Sequence, residues 1–414
     1  MPAPGASACN CDPVNGSPIY VSRLVRLPLL DADGMAVGRV DDVVVVPSGS
    51  VTPPRVLGYV AAVQRRAIFV NANRVGEIDN AGLRLRGGTV DLRRFSLRPG
   101  ELLLKANILD RATPKGVVND IAIEEAAGAV RRWQVGSVVL GRGGLLRRRG
   151  GETGSWRDVA ALFDTGPMAS QVAALSELHP AELANRIVAM PLERRRALAE
   201  AMDDERLADL LEEMPEDEQI QLIESLDLDR AADVLEEMEA DDAADLLAEL
   251  PAEEREELLD HMEPEEASDL RRLLAYEGNT AGGLMTPDPI ILLADATVAE
   301  ALARIRESNV PAAISAQVFV VEPPTAVPTG RYLGTVGFQR LLREPPMTRV
   351  GSCLDERPAA VDADLRELEV ARRLAAYDAI AVPVCDAAGR MVGAVTVDDV
   401  LDRVLPEDWR DTPA

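Results

Sequence analysis

The chain is poor in the side chains that usually do chemistry. Its 414 residues include two histidines, His179 and His261, on separate segments, and four cysteines. Histidine-based catalysis and zinc chemistry therefore have little material. Cys9 and Cys11 form a C-x-C near a Pro/Gly/Ser/Asn-rich terminus, and no second pair completes a soft-metal site. Free thiols in a reducing cytoplasm are the simpler reading. No nucleophile–base pairing, P-loop or G-x-G-x-x-G in its strand–helix context is present, so an enzyme is not expected. No stretch approaches the roughly 18–20 uncharged apolar residues that cross a bilayer. The most apolar runs, Val43–Pro47 and Pro289–Leu293, are strand-sized. Residues Met1–Ser17 lack the basic-then-apolar order of a signal peptide. A soluble, cytoplasmic protein without membrane insertion is the expectation.

What is abundant is acid. Against 44 Lys+Arg stand 70 Asp+Glu, a formal net charge of −26, while 47% hydrophobic residues exclude wholesale disorder. The charge is uneven: residues 1–166 carry +6, residues 167–277 carry −25 and residues 278–414 carry −7. Most of this surface would repel nucleic acid. The exception is Arg142–Arg149, with four arginines in eight residues. It reads as a solvated loop or a partner for the acidic middle, with phosphate binding as the alternative. The length suits two to four domains.

Residues 19–166 read as strands and turns after a disordered N-terminus, 1–18. Gly38-Arg39-Val40-Asp41-Asp42-Val43-Val44-Val45 is echoed by Gly116-Val117-Val118-Asn119-Asp120-Ile121-Ala122-Ile123. Each echo follows a turn rich in Gly, Asp or Pro. Two related β units, 19–98 and 99–166, follow from that echo. The pattern resembles a tandem of PRC-barrel domains, which implies a β-barrel-like head with a binding or adaptor role.

The strongest regularity lies further on. Leu178, Met190, Met202, Met214, Leu226, Met238, Leu250, Met262 and Leu274 recur every twelve residues. Apolar pairs such as Leu210/Leu211, Leu222/Ile223, Val234/Leu235, Leu246/Leu247 and Leu258/Leu259 stand four and three positions before the anchors, a one-sided helical stripe. Pro191, Pro215, Asp227, Pro251 and Pro264 follow the anchors, where a helix start accepts proline or acid. The spacing predicts helices of about eight or nine residues, each too short to stand alone. They must stack into an all-α superhelix over 167–277 with a Met/Leu core. Its acidic face, including Asp203-Asp204-Glu205, Glu216-Asp217-Glu218 and Asp241-Asp242, is a solvated surface unless another acidic surface meets it. Cations would then be needed, and hard ions such as Mg²⁺ take carboxylate and water oxygens.

Residues 278–407 alternate strand and helix in two copies, 278–346 and 347–407, before a tail, 408–414. The second copy, with Val382-Pro383-Val384, Val392-Gly393-Ala394-Val395 and Thr396-Val397-Asp398-Asp399-Val400, resembles a CBS domain. In nucleotide-binding CBS domains a Thr and an Asp three residues later contact ribose, and Thr396 and Asp399 stand at those positions. In the first copy Gly337 and Arg340 replace them, so a symmetric pair of nucleotide sites is not expected.

The order of acidic repeats, Thr280-Ala281-Gly282-Gly283-Leu284-Met285 and paired CBS modules resembles the cytosolic part of MgtE-type magnesium channels. That resemblance implies a homodimeric Mg²⁺ sensor whose ions join acidic surfaces and close an attached pore. Carried over by position, Asp378, Asp399 and Asp402 match CBS carboxylates that line Mg²⁺ sites. Glu407 matches one in the following connection, and Asp241 and Asp245 match helical-domain carboxylates that share an ion with the CBS surface. Mg²⁺ would then bridge Asp241/Asp245 to Asp399, and Asp378 to Asp402. Arg366 and Leu368 fall where the family has carboxylates, so some sites are expected to be lost. The sequence ends at Ala414 where the family continues into a connecting helix and pore, so a sensor without its own gate is expected.

The leading expectation is thus a divalent-cation-responsive regulatory protein, dimeric through its CBS domains. Mg²⁺ is its ion, with Mn²⁺ as the alternative. Its partner would be a membrane transporter or another protein, which could hold it at the inner face of the membrane. An adenine-nucleotide sensor using Thr396 and Asp399, and a scaffold that binds no metal, are the alternatives.

Overall fold

The computed structural model describes residues 18–48, 52–86, 92–126, 132–141, 151–164, 166, 171–172, 174–175, 178–307, 310, 312–355 and 359–405. Cys9, Cys11, the Arg142–Arg149 cluster and Glu407 lie outside the described residues. The chain divides into two compact units, residues 1–179 with 197–203, and residues 180–196 with 204–414. No helix among the described residues is long and apolar enough to cross a membrane.

The first unit is built on one twelve-stranded sheet. Its strands include β1 (Ala36–Val46), β2 (Arg55–Val63), β3 (Arg66–Asn71), β4 (Gly116–Glu125), β5 (Trp133–Gly141) and the short β6 (Glu152–Ser155). The echoed segments form β1 and β4. Each pairs antiparallel with the long strand after it, and each is interrupted at the same place, between Val40 and Asp42 or between Val118 and Asp120.

At both breaks the aspartate turns its carboxylate onto the next amide, Val43 N–H at 2.8 Å and Ile121 N–H at 2.9 Å. Each also caps a helical turn from the other half of the sequence. Asp42 accepts from Lys105 and Ala106 N–H at 2.7 and 3.1 Å, at the start of the turn Leu104–Ile108. Asp120 accepts from Ser22 N–H at 3.1 Å, at the start of the helix Val21–Leu24. The short strands exchange likewise: Ile19–Tyr20 pairs with β4, and Leu102–Leu103 with β1. Val21, Leu24, Val43, Tyr59, Leu104, Ile108, Ile121 and Trp156 accordingly share one core. The head is a curled sheet around that single core, with its two echoes interlocked.

The second unit begins with the helical repeat. Its helices are α1 (Pro180–Val188), α2 (Leu192–Ala201, divided between the units), α3 (Asp204–Glu212), α4 (Glu216–Glu224), α5 (Leu228–Glu237), α6 (Ala240–Glu249), α7 (Ala252–His261) and α8 (Pro264–Leu273). Met202, Met214, Met238, Leu250 and Met262 are buried, as are all five apolar pairs before the anchors. Contacts run chiefly between a helix and the one two places on: α1 with α3, α3 with α5, α5 with α7, α4 with α6 and α6 with α8. A twelve-residue repeat thus yields two interleaved stacks, in which short helices gain stability from packing on both sides.

Two glutamates of the acidic face have a structural task. Glu239 N–H, at the start of α6, donates to Glu212 at 2.7 Å, and Glu263 N–H, at the start of α8, donates to Glu236. Both caps reach 27 residues along the chain. Neither Glu239 nor Glu263 caps its own helix with its side chain. A negative charge at each positive helix end replaces that missing local cap.

The CBS modules repeat one plan. Strands β7 (Ile291–Leu293), β8 (Gln317–Val321) and β9 (Tyr332–Gly337) form the first sheet, and β10 (Val361–Asp362), β11 (Ala381–Cys385) and β12 (Met391–Thr396) the second. In each, the first pair is parallel and the second antiparallel. Helix α9 (Val298–Glu307) belongs to the first module, and α10 (Glu367–Tyr377) and α11 (Val397–Val404) to the second. Phe319 and Val321 share a core with Ala381, Cys385, Met391 and Ala394, which makes the pair one body.

Candidate functional site

The junction between α8 and the first module is held by backbone bonds and close glycine contacts. Thr280 turns the chain by donating its N–H and hydroxyl to Glu277 O at 3.0 and 2.7 Å. Ala281 and Gly282 N–H donate to Leu365 O and Ala363 O at 2.7 and 2.8 Å, and Thr286 exchanges both backbone bonds with Ala394. The Thr-Ala-Gly-Gly-Leu-Met segment is therefore laced into the second module before the first one begins. Its glycines are places of close approach. A Cβ at Gly282 would stand 2.4 Å from the Tyr276 ring, and one at Gly283 would stand 2.6 Å from Glu277 O.

This lacing sets α6 of the helical domain beside α11 of the second CBS module. Asp241 and Asp245 are one turn apart on α6, and Asp399 and Arg403 are one turn apart on α11. Arg403 forms an ion pair with Asp245, while Asp399 repels Asp241. One turn of the facing helices attracts, and its neighbour repels.

The repelling turn is unusual in its burial. Asp241 is 5% exposed, and its Oδ1 has no hydrogen-bonding partner. Burial raises its pKa well above the ordinary carboxylate range, and Asp399, Asp242 and Glu239 raise it further by repulsion. Burial likewise raises Asp242, with repulsion from Glu212 and Glu239 added. Glu212 is pushed up to about 7, by burial first and then by neighbouring Asp209 and Glu213. Asp399 rises to about 6, because burial outweighs the hydroxyl bond from Thr396. Burial also raises Asp245, and there the Arg403 charge and hydrogen bond oppose it.

The other residues expected from sequence are placed differently. Thr396 and Asp399 close a capping box at the start of α11, with Thr396 N–H and Oγ1 donating to Asp399 Oδ2 at 3.2 and 2.6 Å. The same hydroxyl hydrogen is shared between Asp399 and the neighbouring Asp398 carboxylate. Asp378 is the left-handed C-cap of α10, with φ of 49°. It stands at an apolar groove of about 370 Å³ between α10 and α11, lined by Leu374, Val400, Leu401 and Val404. Asp402 is exposed on α11 and contributes to the repulsion at Asp399. Among the described residues, no three His, Cys, Asp or Glu side chains already converge as a metal cage.

The donor set nonetheless fits one kind of ion. Buried, mutually repelling carboxylates with an unpartnered oxygen suit a hard divalent cation that keeps part of its water shell, as Mg²⁺ does. Nothing here suits a soft metal. Residues that sequence reasoning passed over are Arg403, Glu212 and Glu239. The signal for Glu212 was present, since Glu212–Glu239 and Glu236–Glu263 repeat one spacing. Arg403 stands out only once α6 is known to lie beside α11.

The family model of the MgtE intracellular N domain matches residues 178–279, and that of the CBS domain matches residues 281–346 and 350–406. The magnesium transporter MgtE of Thermus thermophilus is 37% identical over 139 residues, 34% of this chain and 30% of that protein. The chain thus spans about 30% of the length of the curated relatives it matches. Among solved structures, the cytosolic domain of the Mg²⁺ channel MgtE in complex with ATP aligns with a TM-score of 0.52 at 31% identity, covering 59% of this chain and 98% of that one. The soluble part of a magnesium transporter aligns with a TM-score of 0.51 at 28% identity, covering 57% of this chain and 98% of that one. An MgtE N domain that leads through a laced junction into a CBS pair places the chain in the family of MgtE cytosolic domains.

Proposed function

We propose that the chain is a divalent-cation-responsive regulatory protein in which Mg²⁺ joins α6 to α11. Asp241 carries the reading: it is a buried carboxylate with an unpartnered oxygen, repelled by Asp399 on the facing helix. Binding of a hydrated Mg²⁺ between Asp241 and Asp399 would relieve the repulsion and draw the helical domain onto the second CBS module. Asp402 would extend that acidic surface, and Mn²⁺ would serve by the same chemistry. Without the ion, repulsion between Asp241 and Asp399 would loosen that turn of the contact. The β head would then pass the closed or open state to a partner, a membrane transporter being the class that its relatives suggest.

The decisive test is thermal melting at constant ionic strength. A site filled at a hundredfold excess over its dissociation constant stabilises by about 2.7 kcal/mol. Asp241→Asn keeps the shape of a protonated acid, so its ion-free melt should equal or exceed that of the native chain, while the Mg²⁺ shift disappears. A Mg²⁺ shift of full size in that variant would end the assignment.

Two copies would pair through the α10–α11 groove, where Leu368, Tyr377, Ile380, Leu401 and Val404 are exposed on one module. Leu401→Glu should convert a dimer into a monomer in sedimentation velocity. A dimer that survives the change pairs through another face.

Nucleotide binding is the second reading, favoured by the likeness to a domain solved with ATP. A ribose would have to displace the mutual capping of Thr396 and Asp399. Free ATP and free Mg²⁺, titrated separately, distinguish the two ligands. A melt shift from metal-free ATP would support this second reading.

A further inference from the structure

The ion pair at the second turn of the α6–α11 face has a consequence for how that face closes. Both helices step by four residues, from Asp241 to Asp245 and from Asp399 to Arg403, so the two turns are held in fixed register. Acid meets acid at the first turn, and acid meets a guanidinium at the second. Arg403 is in the last turn of α11, whose first turn holds Asp398 and Asp399, so its charge also suits the negative helix end. The pair is part-buried, with Arg403 34% and Asp245 27% exposed. It is not an isolated surface contact, because Glu216 and Asp242 add to the attraction that Asp245 exerts on the guanidinium.

We propose that Arg403 is a resident counter-ion, a clasp that engages Asp245 permanently and confines the need for a divalent cation to the Asp241–Asp399 turn. The idea rests on the reading of this face as the one that Mg²⁺ closes. An arginine cannot be deprotonated in the physiological range, and its planar fork of donors fits a carboxylate better than a lysine does. Closure then has two components, one constant and one set by ion concentration. The clasp keeps the acidic surfaces near each other while ion-free, so that an arriving cation meets both carboxylates together.

The test is hydrogen–deuterium exchange of the α11 amides on the full chain, in EDTA and in a Mg²⁺ titration. In EDTA, Arg403→Gln should exchange about tenfold faster over α11 than the native chain, and Mg²⁺ should restore most of the protection. Arg403→Lys should fall between the two. The charge swap Asp245→Arg with Arg403→Asp should recover ion-free protection, which separates loss of the pair from general damage to α11. Equal ion-free exchange in Arg403→Gln and the native chain would overturn the clasp. If Mg²⁺ alters neither protein but Arg403→Gln still loosens α11, the ion-sensing reading fails, and with it the confinement of an ion to the first turn, while the permanent Arg403–Asp245 contact stands.

Discussion

A Gly283→Val protein is expected to lose its Mg²⁺ response although every carboxylate is intact. The added Cβ would stand 2.6 Å from Glu277 O and 2.6 Å from Gly278 Cα. Both are backbone atoms, so no rotamer change relieves the clash. Overpacking of this kind costs about 1–3 kcal/mol. The strain falls on the turn whose next residues bond to the strand region before α10 and to β12. Once that lacing slips, α6 and α11 lose their shared register, and the Asp241–Asp399 pair no longer forms a site. Gly278→Ala is the matched control: its Cβ would meet Asp245 Oδ1 at 3.6 Å, an ordinary contact. Melts with and without Mg²⁺ should show a lowered, ion-insensitive transition for Gly283→Val and a native-like shift for Gly278→Ala. A full Mg²⁺ shift in the valine variant would show that the junction does not set the register of the site.

The contrast between these two glycines marks what could be read from the chain. The twelve-residue anchors, the helix starts and the CBS strand pattern are local signals, and each corresponds to an element found. Met202, Met214, Met238 and Met262 are core because every one-sided stripe needs a neighbour, and stacking supplies it. The interlocked head was not legible in the same way. Asp42 and Asp120 look like two copies of one residue, and nothing local says that each caps a turn from the opposite half. The Asp120 contact spans 98 residues, and the Asp42 contacts span 63 and 64. The same limit applies to the site. Spacing puts Asp241 and Asp245 on one helix face, but only the facing helix gives them opposite fates, one beside Asp399 and the other beside Arg403. Carboxylate identity was readable, whereas the charge that each carboxylate meets was a tertiary fact.

Stability in the absence of divalent ions should fall as pH rises from about 4.5 to about 8. The sign follows from protons bound. Burial and like-charge neighbours push Glu212 to about 7 and Asp399 to about 6, whereas unfolding returns them to about 4.5 and 3.8. The folded state therefore holds more protons than the unfolded chain across this window, and stability declines with increasing pH. The contribution is fully present below the unfolded values and is lost as pH passes the folded ones. Each group is worth about 3 kcal/mol in order of magnitude, and shared neighbours make the pair worth less than the sum. Asp158, held down by Lys115, and Glu300, held down by Thr297, act the other way, but only at lower pH, near and below the ordinary carboxylate range. Asp42 and Asp288, both raised by burial, act in the same direction as the cluster. A cation bound at Asp241 and Asp399 favours the charged forms, so Mg²⁺ should flatten the decline and stabilise most at the alkaline end. Urea midpoints at pH 5, 6, 7 and 8, in EDTA and in Mg²⁺, measure both slopes. A rise of ion-free stability across this range would mean that the carboxylates between α6 and α11 are already compensated, and that the face needs no divalent ion to close.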